Sequence, residues 1–421
     1  MAEETVLTDE FLRQLINVGE VDILVGLPTH NNAQTVGPVV EAIQAGLLRS
    51  FPRERAVIIN ADGGSHDGTP ELITGASISD VRRFGNIHAL RTLHSISTQY
   101  ASTPETGVAL RNILAAAELL RAKACAVISP ESANPEPVWV ERLLRPIYSE
   151  QADFVTPLYR RHKFEGLLMR NLLYPMTRAI YGKRVREPYG SEFGFSGNLA
   201  SQFLKHDVWN HEVGRTGAEM LLTLSAVAGG CRLHQTFLGT KAHVERSARD
   251  LVPAIRQTVG ALFWSLEAFS GWNTIAGSQP VSTLGCEFET TLEPVRVNRK
   301  RLYDMFRSGV GELAPIFASI LSESTLMELQ KIAGLTEDDF RYTPELWVKT
   351  VYEFAASYHK SPISRDHIIQ ALAPLYRGRM FTFLMETRES SADEVEANVE
   401  HLCQEFESMK PYLLELWNSG K

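Results

Sequence analysis

Apolar residues fall in short blocks along the first 160 positions of this chain, separated by polar turns and by stretches with helical spacing. The blocks Val21-Asp22-Ile23-Leu24-Val25-Gly26-Leu27 and Ala56-Val57-Ile58-Ile59 are nearly continuous, as in strands buried on both faces. Between them Val36, Val39, Val40, Ile43 and Leu47 recur at spacings of three and four, the apolar face of a helix. The pattern predicts strands near 21–27, 56–61, 88–93, 124–129 and 153–158, and helices near 33–48, 69–75, 107–121 and 137–147. Such alternation implies an α/β fold with a mostly parallel sheet covered on both faces. Residues 160–290 mix helical spacing with turns, with one more strand expected over Leu233–Leu238. From about 295 the spacing is helical throughout. There Ser391-Ala392-Asp393-Glu394 has the form of a capping box, and Val395, Val399, Leu402, Phe406 and Met409 share one face. The expected organisation is an N-terminal extension (1–20), an α/β domain (21–290) and a C-terminal helical region (291–421).

Composition narrows the partners. The 421 residues are 44% hydrophobic and 22% charged, with a net charge of −8, which argues against nucleic acid as the main partner. No apolar run approaches the roughly 20 residues that span a bilayer, and Met1-Ala2-Glu3-Glu4-Thr5 lacks the basic-then-apolar order of a signal peptide. Cys125, Cys231, Cys286 and Cys403 are far apart, and Cys125 and Cys231 read as core residues. A cytoplasmic protein without structural disulfides is expected, acting on small molecules; a homo-oligomer is compatible with the sequence.

The densest chemistry is Asn60-Ala61-Asp62-Gly63-Gly64-Ser65-His66-Asp67-Gly68-Thr69, which follows a buried strand and leads into a helix. Asp62 stands at the carboxyl end of that strand, where open α/β sheets place ligands. A carboxylate there suits a ribose hydroxyl or a base N–H, whereas it would repel a phosphate. A plain strand-to-helix connection capped by Ser65 or Asp67 is the competing account. A second strand ends in a comparable polar turn, Pro28-Thr29-His30-Asn31-Asn32.

Together "LVGLPTHNNAQTV" and "NADGGSHDGTPE" resemble the first two βα units of the nucleotide-sugar glycosyltransferases of the GT-A fold. The resemblance implies a GT-A sheet and a nucleoside held by Pro28, Thr29, Asn31, Asn32, Asp62 and Gly63. In that family an Asp-x-Asp after the fourth strand holds a divalent cation on the donor's diphosphate. Here Ser129-Pro130-Glu131 occupies its place, ahead of the helix-like Pro137-Val138-Trp139-Val140. The resemblance thus assigns Ser129 to the donor and Glu131 to Mg²⁺ or Mn²⁺. His243, in Lys241-Ala242-His243, stands where related retaining enzymes carry a further ligand; N and O donors suit these ions.

Three further segments are similar to those of retaining synthases that glycosylate glycerate or 3-phosphoglycerate. Glu187-Pro188-Tyr189-Gly190-Ser191-Glu192 resembles their "QPLGGE" turn and implies Gly190 and Glu192 on the acceptor side. Gly214-Arg215-Thr216-Gly217-Ala218-Glu219 resembles a helix start with an acidic residue by the reacting sugar, so Glu219 is the expected catalytic carboxylate. Trp347 to His359 and Leu375-Tyr376-Arg377-Gly378-Arg379 resemble the C-terminal region of mannosylglycerate synthases. The basic run Arg160-Arg161-His162-Lys163 follows a strand; Arg160, Arg161 and Lys163 suit an acceptor carboxylate, or form a solvated loop. The family's "GKGxALR" turn reads Pro104-Glu105-Thr106-Gly107-Val108-Ala109-Leu110-Arg111, without its Lys. The expected activity is retaining transfer of a hexose from a nucleotide-diphosphate sugar to a small anionic acceptor. The alternatives are an inverting transferase acting on polysaccharide or lipid, and a degenerate sugar-nucleotide-binding protein.

Overall fold

The structure is a computed structural model, which describes residues 7–73, 93–100, 105–132, 134–240, 251–285 and 297–419. Within these the chain forms two compact units. The first draws on Met1–Arg160, Tyr189–Arg246 and Val281–Thr290, the second on Arg161–Pro188, Ser247–Pro280 and Thr291–Lys421.

Among the described residues the first unit is built on eight strands: β1 Ile23–Thr29, β2 Ala56–Asp62, β3 Leu93–Gln99, β4 Ala124–Val127, β5 Phe154–Arg160, β6 Phe193–Ser196, β7 Leu233–Thr240 and β8 Ser282–Leu284. Their order is β3-β2-β1-β4-β6-β5-β7-β8. β6 runs antiparallel to both β4 and β5, and every other pairing is parallel. The parallel strands therefore all end at one edge of the sheet, and β6 starts there.

β1 and β2 are buried along nearly their whole length because helices cover both faces. On one face the expected stripe Val36, Val39, Val40, Ile43 and Leu47 of helix Val36–Ser50 packs with Trp139, Val140, Leu143 and Leu144 of helix Val138–Tyr148. A β-carbon on Gly46 would come within 2.4 Å of the Pro137 carbonyl, so these helices touch closely. On the other face helix Thr106–Leu119 lays Ile113 on Gly26, where a β-carbon would meet it at 2.5 Å. Burial of this kind stabilises by about 25 cal/mol per Å² of apolar surface.

Two expectations shift. The strand sought at 88–93 begins at Leu93 and runs to Gln99; positions 88–92 lie outside the described residues. Its sequence, Leu93-His94-Ser95-Ile96-Ser97-Thr98-Gln99, is polar because it is a half-buried edge strand, so the apolar signal fell before it. Cys125 is fully buried, but Cys231 is only half-buried after the end of helix Ala218–Ala228. Cys125, Cys231 and Cys403 are free thiols, and Cys286 lies outside the described residues.

The second unit is helical, and polar groups buried within it fix its packing. Arg178, 1% exposed, donates from Nη1 to Glu400 Oε2 at 2.6 Å and from Nε to Glu407 Oε1 at 2.9 Å. Arg379, fully buried, bonds Asn171 Oδ1 and the Tyr342 carbonyl, and the Trp347 indole donates to the Asn171 carbonyl. The capping box at Ser391 and Glu394 forms as expected, and Val395, Val399, Leu402 and Phe406 are buried behind it. Among the described residues no helix is long and apolar enough to cross a membrane.

Candidate functional site at the carboxyl edge of the sheet

β1 and β2 end level with each other, Thr29 pairing with Asp62. The turns that follow are laced together. Asn31 N–H donates to Ser65 Oγ at 2.8 Å, and His66 N–H donates to Asn31 Oδ1 at 3.0 Å. Asn32 N–H donates to Thr69 Oγ1 at 2.8 Å, and Ala33 N–H to Asp67 Oδ2 at 2.9 Å. Gly64 and Gly68 hold φ of 83° and 86°, which only glycine adopts at little cost, and Asn31 sits at 54°. Each turn thereby supplies the polar partners that the other's backbone needs.

Asp62 organises this lattice. Its carboxylate is 1% exposed and takes four hydrogen bonds. Oδ1 accepts from Ser65 Oγ at 2.6 Å and lies 2.9 Å from Thr29 Oγ1, whose proton it shares with Asn60 Oδ1 at 2.7 Å. Oδ2 accepts from the N–H groups of Gly64 at 3.0 Å and Ser65 at 2.8 Å. All of the roughly four acceptor positions of a carboxylate are taken. Asp67 bonds Thr69 and the Ala33 N–H, which holds its carboxyl below the usual aspartate value. Ser65, Asp67 and Thr69 were not singled out as site residues in the sequence; their signal was the same Gly-rich run.

The loop after β4 comes next along the edge. Glu131 N–H donates to Ser129 Oγ at 3.2 Å, so Ser129 shapes the turn that presents Glu131. Ser132 Oγ donates to Glu192 Oε1 at 2.8 Å, and Tyr159 donates its hydroxyl to Glu192 Oε2. Glu192 is fully buried just ahead of β6. A β-carbon on Gly190 would meet Pro157 Cγ at 2.6 Å, so this turn lies directly on β5. Asn134 donates to the Thr240 carbonyl at 2.8 Å, tying the same loop to the end of β7.

Beyond β3, Tyr100 donates to the Glu105 carbonyl at 3.4 Å, and burial pushes its hydroxyl up to about 12. Helix Thr106–Leu119 then starts against the backbone of 214–215: a β-carbon on Gly107 would stand 2.1 Å from the Gly214 carbonyl oxygen. That contact brings the opening of helix Ala218–Ala228, with the 9%-exposed Glu219 in its first turn, beside the start of helix Thr106–Leu119.

The basic run is divided between the two units. Arg160 ends β5, opposite Thr240, in the sheet unit. Arg161 and Lys163 belong to the helical unit. There Arg161 forms a two-point pair with Glu187, with both N–O distances 2.9 Å, and Lys163 Nζ donates to the carbonyls of Arg388 at 2.6 Å and Ser390 at 3.0 Å.

A divalent cation can be tested against the donor set. Among the described residues no three His, Cys, Asp or Glu side chains gather as a metal site, and His243 lies outside them. Mg²⁺ and Mn²⁺ on nucleotides need only one or two protein carboxylates, with phosphate oxygens and water completing the shell. Glu131, offered by a built turn at this edge, fits that need.

The fold and this edge define an open α/β sheet protein whose polar turns converge where the parallel strands end. No family model matches the chain, and no curated protein matches it. It is similar to solved structures of glucosyl-3-phosphoglycerate synthase from Mycobacterium tuberculosis. The complex with Mg²⁺ and uridine diphosphate is 22% identical, with a TM-score of 0.45, and the match covers 60% of this chain and 83% of that one. The complex with Mn²⁺, UDP-glucose and phosphoglyceric acid is 21% identical, with a TM-score of 0.43, covering 67% and 94%. A structure described as a mycobacterial protein is 20% identical, with a TM-score of 0.43, covering 63% and 80%. Likeness at this level carries no argument about chemistry, which rests on the residues of the edge itself.

Proposed function

We propose that the protein is a glycosyltransferase of the retaining type, moving a hexose from a nucleotide-diphosphate sugar to a small anionic acceptor such as glycerate or 3-phosphoglycerate. The observation that carries this reading is the pair of interlocked turns, 29–33 and 62–69, on the same sheet edge as the Ser129–Glu131 turn. The first pair offers a rigid polar platform for a nucleoside, formed by Pro28, Thr29, Asn31, Asn32 and Gly63 with Asp62 beneath. Ser129 and Glu131 fall on the diphosphate side. A cation held there by Glu131, with His243 as a second ligand, would neutralise the departing diphosphate. Glu219 is the carboxylate assigned to the sugar side, and Arg160, at the end of β5, is assigned to an acceptor anion. Rigid donors and acceptors placed before binding reduce the ordering cost of the ligand.

One observation favours a second reading, a sugar-nucleotide-binding protein without transfer activity. Where the family has a carboxylate, Ser129 spends its hydroxyl on the loop's own backbone. The deciding experiment incubates the protein with UDP- and GDP-hexoses, Mn²⁺, and glycerate or 3-phosphoglycerate, and follows the anomeric proton by NMR. A product with the donor's anomeric configuration is expected. An inverted product refutes the retaining assignment, and nucleotide binding by calorimetry without turnover selects the second reading.

A further inference from the structure

Glu192 carries more than its place in an acceptor-like turn suggests. We infer that Glu192 is a positioning residue that fixes the Glu131 loop from the neighbouring strands, rather than a contact for the acceptor. The inference rests on the function proposed above and deepens it.

Three observations converge. First, the carboxylate is fully buried, and its two oxygens receive hydroxyls from different elements, Ser132 at 2.8 Å and Tyr159. Second, Ser132 directly follows Glu131, whose own N–H is held by Ser129, so the four-residue turn is pinned from inside and from outside. Third, the support behind Glu192 is stiff. Pro157 of β5 seats Gly190 within the reach of a single added carbon, and Tyr159, two residues on, meets the carboxylate. β6 lies between β4 and β5 and starts opposite the last residue of β4, alongside the middle of β5, so one side chain at that start can bridge the β4 turn and β5. Groups that orient a metal ligand are often as consequential as the ligand, since their loss lowers metal affinity about 10–100-fold.

The test uses the full chain with Ser132→Ala and Glu192→Leu, which leaves neither hydroxyl an acceptor. Amide exchange of a peptide spanning 124–137, measured without ligand, is expected to rise in both variants. Calorimetry with Mn²⁺ in the presence of UDP or GDP is expected to show at least about tenfold weaker cation binding, with metal-free nucleotide affinity within twofold of wild type. The double variant should lose no more than the worse single one, since both remove one contact. Unchanged exchange in both variants overturns the inference, as does raised exchange with unaltered cation affinity. A rise in acceptor KM for Glu192→Leu alone, with Ser132→Ala silent, overturns it in favour of direct acceptor contact. A wild type that binds neither nucleotide defeats the proposed function instead, while the exchange measurement still decides whether Glu192 holds the loop. Ser132→Ala, a small change at a loop, keeps the test open if Glu192→Leu fails to fold.

Discussion

Replacing Asp62 by Ala and by Asn separates two roles that a buried carboxylate can play. In the Ala variant the N–H groups of Gly64 and Ser65 lose their shared acceptor, Oδ2, at 3.0 and 2.8 Å. Thr29 keeps Asn60 Oδ1 as a partner, and the half-exposed Ser65 hydroxyl exchanges Oδ1 for water. The net loss is therefore two charge-assisted hydrogen bonds, each worth about 1.5–3 kcal/mol and reduced because Gly64 and Ser65 are half-exposed. An overall cost of about 2–4 kcal/mol follows. Asparagine can satisfy the same site. Its oxygen takes the place of Oδ2, and its amide donates to Thr29 and Ser65, both of which retain an acceptor lone pair. Its cost should stay within about 1 kcal/mol. Urea unfolding followed by circular dichroism, with amide exchange on peptides covering 29–36 and 62–69, measures both. In nucleotide binding, Asp62→Ala should be strongly impaired and Asp62→Asn only slightly. Equal stability of Ala and wild type would refute the lattice argument. An Asn variant that folds normally yet binds nucleotide as poorly as Ala would show that the carboxylate itself meets the ligand.

Two further predictions concern packing and pH. Gly107→Ala places a carbon 2.1 Å from the Gly214 carbonyl oxygen and should destabilise by about 1–3 kcal/mol, whereas Gly37→Ala, with nothing within 4 Å, should be neutral or stabilise by up to about 1 kcal/mol; denaturant midpoints compare them. Burial, only partly opposed by Glu407, pushes the Lys410 ammonium down to about 8, while its Nζ donates to the carbonyls of Ile180 and Ile275. The unfolded chain then binds more protons than the native one between about pH 8 and the ordinary lysine value of 10.5, so Lys410 makes stability rise with pH across that window. The difference between wild type and Lys410→Met in urea midpoint from pH 7 to 10.5 reads this contribution, and a flat difference refutes it.

The sequence by itself determined the elements whose signal is local. The buried runs at 23–29 and 56–62, the stripe Val36 to Leu47 and the capping box at Ser391 each declare themselves within one stretch of chain, because periodicity and caps depend on near neighbours. The Gly-rich turn was legible for the same reason: strand, glycines and helix start occur in order. The tertiary structure decided what depends on pairing across the chain. β3 was placed a few residues early because an edge strand needs little apolar surface, and β6 stayed hidden because four residues reverse direction only in response to β4 and β5. The partners that charged side chains meet within the chain were also decided there. Arg161 and Lys163 look free in sequence, yet one is held by Glu187 and the other by carbonyls more than 220 residues away. Asp62 looks like a ligand's partner, yet its oxygens are filled by its own turns. A residue type states what a side chain can bond; only the fold brings partners within 3 Å, and burial then makes leaving them unmade costly.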